Sequence, residues 1–480
     1  MDYSLFIVSR YREEAAVSGF GPVALRRTLQ TAGRTVLFSS LTVTTAIASL
    51  AVFPQRFLYS MGIGGAIVAL IAAGLALVVL PAILVVLGPR VNALAPARLQ
   101  RAADRDARPA EDGAWYRLSR FVMKRPGPIA LASATLLILL GLPFIGIRFT
   151  AVDASVLPPS AGARLVDTAL RRDFPPNRTA PLELVVGAPA GSARSGGLAA
   201  RVAALPGVAA VSPVQSGGRD VSLIAVAPAE EPLSGASQAL VRRIRALQLP
   251  FSVGVAGQTA AYVDLERSLA DHLPEVLAIV IAATLIVLFL MTGSVVLPLK
   301  AVLMNALSLS ATFGILVLIF QDGRLQGPLS YVSQGALETT QPVLLFALAF
   351  GLATDYGVFL LSRIKEARDA GAPNTEAVAI GLERTGRIVT AAAILFAVAI
   401  GAFATSQLVF IKELGLGTAI AVLIDASIIR ALLVPSLMAL LGAWNWWAPA
   451  PLRRLHERIG WRMDDPGGDR EGGLAPLSTR

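Results

Sequence analysis

No cysteine occurs in the 480 residues, and there are only two histidines, His272 and His456. The first absence rules out disulfides and thiolate metal sites, and the second leaves no histidine cluster for a zinc centre. Charge is scarce too. Asp, Glu, Lys and Arg make up 15% of the chain against 55% hydrophobic residues, and mean hydropathy is +0.65. A soluble domain carries roughly 25% charged residues, so the bilayer is the expected solvent. The formal charge of +10 would suggest nucleic acid in a soluble protein. Here the basic residues fall between apolar runs, which sets nucleic acid aside and leaves membrane lipids as the partner. The composition points to no cofactor, no metal site and no catalytic residue set.

A helical span needs about 20 mostly apolar residues. Eight segments meet that length: 35–53, 62–87, 127–147, 273–292, 298–320, 341–361, 388–407 and 414–441. A ninth apolar stretch, residues 1–9, rises only about 13 Å as a helix. It lacks the basic leader and cleavage site of a signal peptide. Arg10, Arg12, Arg26, Arg27 and Arg34 flank the first full span, and arginines crowd 90–125, 363–387 and the tail from Arg453. By the positive-inside rule these stretches, with Lys300, are cytoplasmic. The opposite loops carry only Arg56, Arg324 and Lys412, the last balanced by Glu413. The chain therefore reads as a multi-pass inner (plasma) membrane protein with a cytoplasmic C-terminus. Segments 11–30 and 364–384 read as amphipathic helices lying along the membrane face, and the tail beyond 464 as disordered.

One long polar stretch, 149–272, is large enough for a globular domain on the outer side. Strand patterns lie at 181–188, 221–227 and 251–255, and helical patterns at 161–173, 196–205, 234–247 and 259–272. The fold class is thus a polytopic α-helical membrane protein of eight full spans plus a partial N-terminal one, with an inserted α+β domain of about four strands. No nucleophile-base pair or metal-ligand cluster stands out in that domain.

An internal repeat organises the rest. DYSLFIVSRYRE, starting at Asp2, returns as DYGVFLLSRIKE, starting at Asp355. Gly33-Arg34 matches Gly386-Arg387, and Met61-Gly62-Ile63-Gly64 matches Leu414-Gly415-Leu416-Gly417, all in one register. Pro81 matches Pro435 after a one-residue insertion. Gly351, Gly401, Gly415 and Gly417 fit close helix packing, not a phosphate loop.

Ionisable groups at mid-bilayer are costly and usually functional. Asp355 lies about 21 Å into its span, out of easy reach of either interface. Desolvation favours its protonated form, and the phenol of Tyr356 is beside it. It can equally be read as a buried hydrogen-bonding residue between helices. Asp425 and Arg430 are the other charged pair. Five residues apart on an α-helix they point about 140° apart, which is not pairing geometry. Arg430 is expected to snorkel toward the cytoplasm, and Asp425 to serve as an anchor or a relay member.

The strings DYSLFIVSRYREE, GLATDYGVFLLSRIKE and LIDASIIRALLVPSLMALLG resemble the MMPL (mycobacterial membrane protein large) transporters of the resistance-nodulation-division superfamily. The likeness runs to about Trp447. It implies two six-helix repeats, each with a porter domain after its first helix, and a proton relay of paired Asp-Tyr motifs, which fall here on Asp2, Tyr3, Asp355 and Tyr356. Against that plan, 1–88 is a remnant of the first membrane repeat and 89–126 a basic cytoplasmic linker. Residues 127–148 are the first span of the second repeat, 149–272 its extracytoplasmic porter domain, 273–442 its other five spans and 443–480 a tail. Three spans, one porter domain and half a fourth span are missing. The resemblance implies proton-motive export of a lipid or other hydrophobic or amphiphilic substrate by a secondary transporter, not an enzyme. A second chain supplying the missing half, or a homo-oligomer, is the expected partner. The alternative is a non-transporting scaffold or decayed fragment.

Overall fold

The computed structural model of the chain describes residues 2–92, 111, 113–174 and 180–459. Half of the basic linker, and all of the tail read as disordered, lie outside the described residues. Among the described residues, eight helices are long and apolar enough to cross a membrane: α2 (Pro22–Val52), α3 (Arg56–Val91), α5 (Pro126–Gly146), α9 (Gln258–Thr292), α10 (Val296–Gln321), α11 (Gln341–Asp369), α12 (Asn374–Thr405) and α13 (Val409–Trp446). Each covers one of the eight expected spans. The N-terminal stretch forms α1 (Asp2–Ser18), and α4 (Ala114–Lys124) closes the linker.

The two connectors read as surface helices are helical hairpins instead. α1 runs on to Ser18, turns at Gly19, whose φ is 79°, and restarts as α2 at Pro22. In the second repeat α11 runs to Asp369, turns at Gly371 with φ 96°, and restarts as α12 at Asn374. The two stretches are the ends of long helices on either side of a tight turn. Glycine supplies the left-handed turn that other residues resist.

The inserted α+β domain is built on an antiparallel sheet of order β3-β5-β2-β6, with β4 paired to β5. Its strands are β2 (Leu182–Val186), β3 (Val208–Val211), β4 (Gln215–Ser216), β5 (Ser222–Pro228) and β6 (Val253–Ala256), preceded by helix α6 (Gly162–Asp173). Period-2 alternation is clear in β2, where Leu182, Leu184 and Val186 are buried and the residues between them exposed. That face packs on α7 (Ala193–Ala203) and α8 (Gly235–Arg245) through Leu198, Val202, Leu240 and Ile244. The helical stretch 259–272 does not stop at the bilayer. It is the first part of α9, a 35-residue rod about 52 Å long that begins in this domain and crosses the membrane. Its start depends on Gly257, at φ 101°, where a Cβ would come within 2.5 Å of the Pro181 carbonyl oxygen. A second tie is the parallel pairing of β1 (Phe149–Thr150) with β7 (Leu337–Glu338), just before α11.

In the bundle, α11 is the central helix, packed on α2, α12 and α13. Close approach uses glycine where expected: a Cβ on Gly415 would meet Phe403 Cβ at 2.6 Å, and one on Gly417 the Leu316 and Leu345 side chains at 2.9 Å. Lys300, counted above as a loop cation, is buried in α10 with its Nζ donating to Asn445 Oδ1 at 3.3 Å.

Candidate intramembrane site

Asp355 sits at the middle of α11 and is 4% exposed; Tyr356 beside it is 1% exposed. The apolar run around them holds the helix in the bilayer, so the carboxyl group is where burial costs most. Next to it Asn305 Nδ2 of α10 donates to Thr354 Oγ1 at 3.0 Å, and Thr354 Oγ1 donates to Phe350 O at 2.8 Å. These bonds fix α10 against α11 at the level of the carboxylate.

Asp425 and Arg430 do pair, contrary to the α-helical expectation. Residues Asp425–Leu433 are wound as a π-helix, whose wider turn with i→i+5 hydrogen bonds brings residues five apart onto the same side. Arg430 Nε donates to Asp425 Oδ2 at 2.7 Å. A proline explains the winding. Pro435 has no N–H for the carbonyl one turn back, so the ladder loosens before it. Ser436 Oγ donates to the carbonyl of Leu432, four residues back, at 2.7 Å. The first repeat also has a π segment, Leu75–Val79, before Pro81, but five residues long against nine. The one-residue insertion between the repeats falls in this segment.

Arg430 therefore does not snorkel. It is 5% exposed, and besides Asp425 it reaches across to α11, where Nη2 donates to Ala353 O at 2.6 Å and Cζ lies 5.3 Å from the Tyr356 ring centroid. Asp425, 3% exposed, is thus joined through one guanidinium to the Asp355-Tyr356 turn. A cavity of about 30 Å³ adjoins Lys300, Asn305, Thr354, Asp425 and Arg430. That is room for a water molecule or two, which need about 10–15 Å³ each and polar partners.

The first-repeat pair is only partly described. Asp2 starts α1, but its side chain lies outside the described residues. Tyr3 is buried in the same cluster as Phe6, Tyr356 and Phe359, so the two Asp-Tyr strings pack together. Phe6 and Phe359, equivalent in the repeat, stack at 3.6 Å with rings 5° apart.

Further toward the arginine-rich side is a set of residues the motif reading passed over. Arg10 Nη2 bonds Glu366 Oε1 at 2.9 Å, and Arg363 Nη2 bonds Glu13 Oε2 at 3.0 Å. Each arginine also pairs on its own helix, with Glu13 and Glu366 at i+3. The signal was in the repeat itself: Arg10 matches Arg363 and Glu13 matches Glu366, so each helix carries both halves of the other's pair. A cavity of about 250 Å³ opens there beside Arg10, Arg27, Arg363 and Glu366. Among the described residues no group of three or more His, Asp or Glu is placed to hold a metal.

An α+β domain inserted in a helical bundle with charged groups buried at mid-span defines a multi-pass membrane protein of the resistance-nodulation-division type. The crystal structure of SecDF in its super-membrane-facing form shares this fold, with TM-score 0.52 over 95% of this chain and 53% of that chain at 13% identity. The chain belongs to the MMPL family, whose model matches residues 1–129 and 220–465. It is 42% identical over 468 residues to a membrane protein of Streptomyces coelicolor, covering 97% of this chain and 64% of that protein. It is 38% identical over 500 residues to the trehalose monomycolate exporter MmpL3 of Mycolicibacterium smegmatis, covering 96% and 49%. The chain thus spans about half to two thirds of the length of these curated relatives.

Proposed function

We propose that this chain forms part of a proton-driven exporter of a lipid or other amphiphilic substrate in the inner membrane, with its inserted domain outside and its arginine-rich side in the cytoplasm. The observation that carries the reading is the buried constellation of Asp355, Tyr356, Arg430 and Asp425. Asp355 loads and releases protons, Tyr356 orients it, and Arg430 responds to its charge because the same guanidinium is held by Asp425 and the Ala353 carbonyl. Asp2 and Tyr3 form the matching pair on α1. The name of the MmpL3 relative supports a lipidic substrate. The position of the inserted domain, continuous with α9, supports export from the cytoplasmic to the outer side.

The deciding experiment is proton flux into vesicles holding the transporter under an imposed pH gradient. Asp355→Asn keeps size and hydrogen bonding but removes the titratable charge, so flux is expected to vanish while the folded protein remains; normal flux would rule out the relay. Orientation is checked in parallel. The chain has no native cysteine, so Ser216→Cys, exposed in β4, is expected to react with an impermeant maleimide from outside, and its protection in intact cells with an opened outer barrier would invert the topology.

A further inference from the structure

Two carboxyl groups away from the Asp355 layer are buried as deeply as that layer. Glu413, in the second turn of α13, is 3% exposed, and Glu338, at the end of β7, is 6% exposed. Gln341 fixes their meeting. Its Nε2 donates to Phe410 O at 3.1 Å and ties the first turn of α11 to that of α13. Glu338 stands one turn before Gln341, Glu413 one turn after Phe410, and the Glu338 backbone amide lies against the Glu413 carboxyl.

Their surroundings differ. Glu338 Oε2 accepts from Thr340 N at 3.0 Å, Thr340 Oγ1 at 2.6 Å and Gln341 N at 3.0 Å, and so caps α11. Burial nonetheless outweighs these donors and pushes its pKa up. Beyond that one amide Glu413 has no such set of donors: its Oε2 and Gln341 Oε1 are both buried and accept no hydrogen bond among the described residues. Lys412 does not answer it. Adjacent helical residues do not face each other, and Lys412 Nζ goes to the carbonyls of Leu329 at 2.5 Å and Ala404 at 3.1 Å. Tyr331, in the segment before β7, is near enough to feel the Glu413 charge, and its hydroxyl donates to the Ile319 carbonyl. Across Thr339, Tyr262 of α9 donates to Glu266. The halves of α10, α11 and α12 at this end carry no charged side chain.

A lone buried carboxylate among acceptors is expensive, whereas a protonated carboxyl is a donor that such acceptors satisfy. We propose that Glu413 and Glu338 form a second proton-binding site, at the outer mouth of the bundle, where one proton is held between the two carboxyl groups. Its place in transport rests on the exporter reading above. Emptying it leaves two like charges that act on each other at the joint of β7 with β1, the strand that leads into the inserted domain. Glu413 is also on the helix that carries Asp425, about 18 Å further along.

The test uses the 480-residue chain in lipid nanodiscs. Dicyclohexylcarbodiimide, an apolar reagent, modifies protonated carboxyl groups, and peptide mass spectrometry locates the adduct. Glu413 is expected to be labelled at neutral pH and to lose labelling at alkaline pH. In Glu338→Gln the like-charge repulsion is gone, so the loss should move to lower pH and neutral-pH labelling should fall severalfold. Asp355→Asn should leave both unchanged, which separates this site from the relay. If the reagent does not reach Glu413, the infrared carboxylic-acid band decides: a neutral-pH component missing in Glu413→Gln supports the site. Absence of that component, or an unaltered pH dependence in Glu338→Gln, overturns it.

Discussion

The Asp425-Arg430 layer and the clamp of Arg10, Glu13, Arg363 and Glu366 are built from the same residue types in very different surroundings. At the first, both partners are almost fully buried and the pair is fixed by helix winding and a single carbonyl. At the second, four groups share their charges across a pseudo-two-fold axis, and the Glu13 side chain is 38% exposed. Burial makes the first pair costly to break but not necessarily stabilising, because the desolvation of two charges offsets their attraction. Water screens the clamp, yet its reciprocity lets each arginine keep one partner if the other is lost. The contrast separates a fully buried pair on one helix from a partly exposed clamp between two helices.

That contrast can be broken at its strong end first. Arg430→Ala leaves Asp425 buried without its cation, and a loss of about 3–5 kcal/mol is expected in thermal unfolding in detergent. The double variant Asp425→Leu with Arg430→Leu should recover most of that stability while proton flux stays absent; recovery of flux would mean that the pair is only structural. At the clamp, Arg10→Ala or Arg363→Ala should each cost about 1 kcal/mol, the upper range for a partly exposed pair. The double variant should cost more than the sum of the singles, since either arginine alone still bridges the helices. Additivity in that cycle would show two independent pairs, not a clamp.

The smallest effect sharpens the comparison by pH. Glu338 has its folded pKa raised by burial above the unfolded value, so its protonated form is favoured in the fold. Its contribution is fully present below the unfolded pKa and is lost as pH rises through the folded pKa. Unfolding temperature should therefore decline across that window, and the decline should flatten in Glu338→Gln. An equally steep decline in that variant would place its origin elsewhere.

How much was legible from sequence depends on how local the signal is. The eight spans were, because transfer of an apolar run into the bilayer is a property of the run itself. The strands 182–186 and 222–228 and three helices of the inserted domain were legible from periodicity. β3 was not, since Val208–Val211 is short and owes its extension to pairing with β5. Asp355 was found by its position in an apolar segment, and its burial agrees.

Hydropathy and repeat spacing thus determined by themselves the membrane class, the order of elements and the placing of Asp355 and Tyr356 at mid-span. Only tertiary structure decided that Asp425 meets Arg430, that Arg10 crosses to Glu366, and that Glu413 is buried while Lys412 turns to the Leu329 and Ala404 carbonyls. The reason is geometric. A side chain's direction follows the winding of its helix and the register of its neighbours, and the nine-residue π segment rotates Arg430 from where α-helical spacing would put it onto Asp425 and the face of Tyr356.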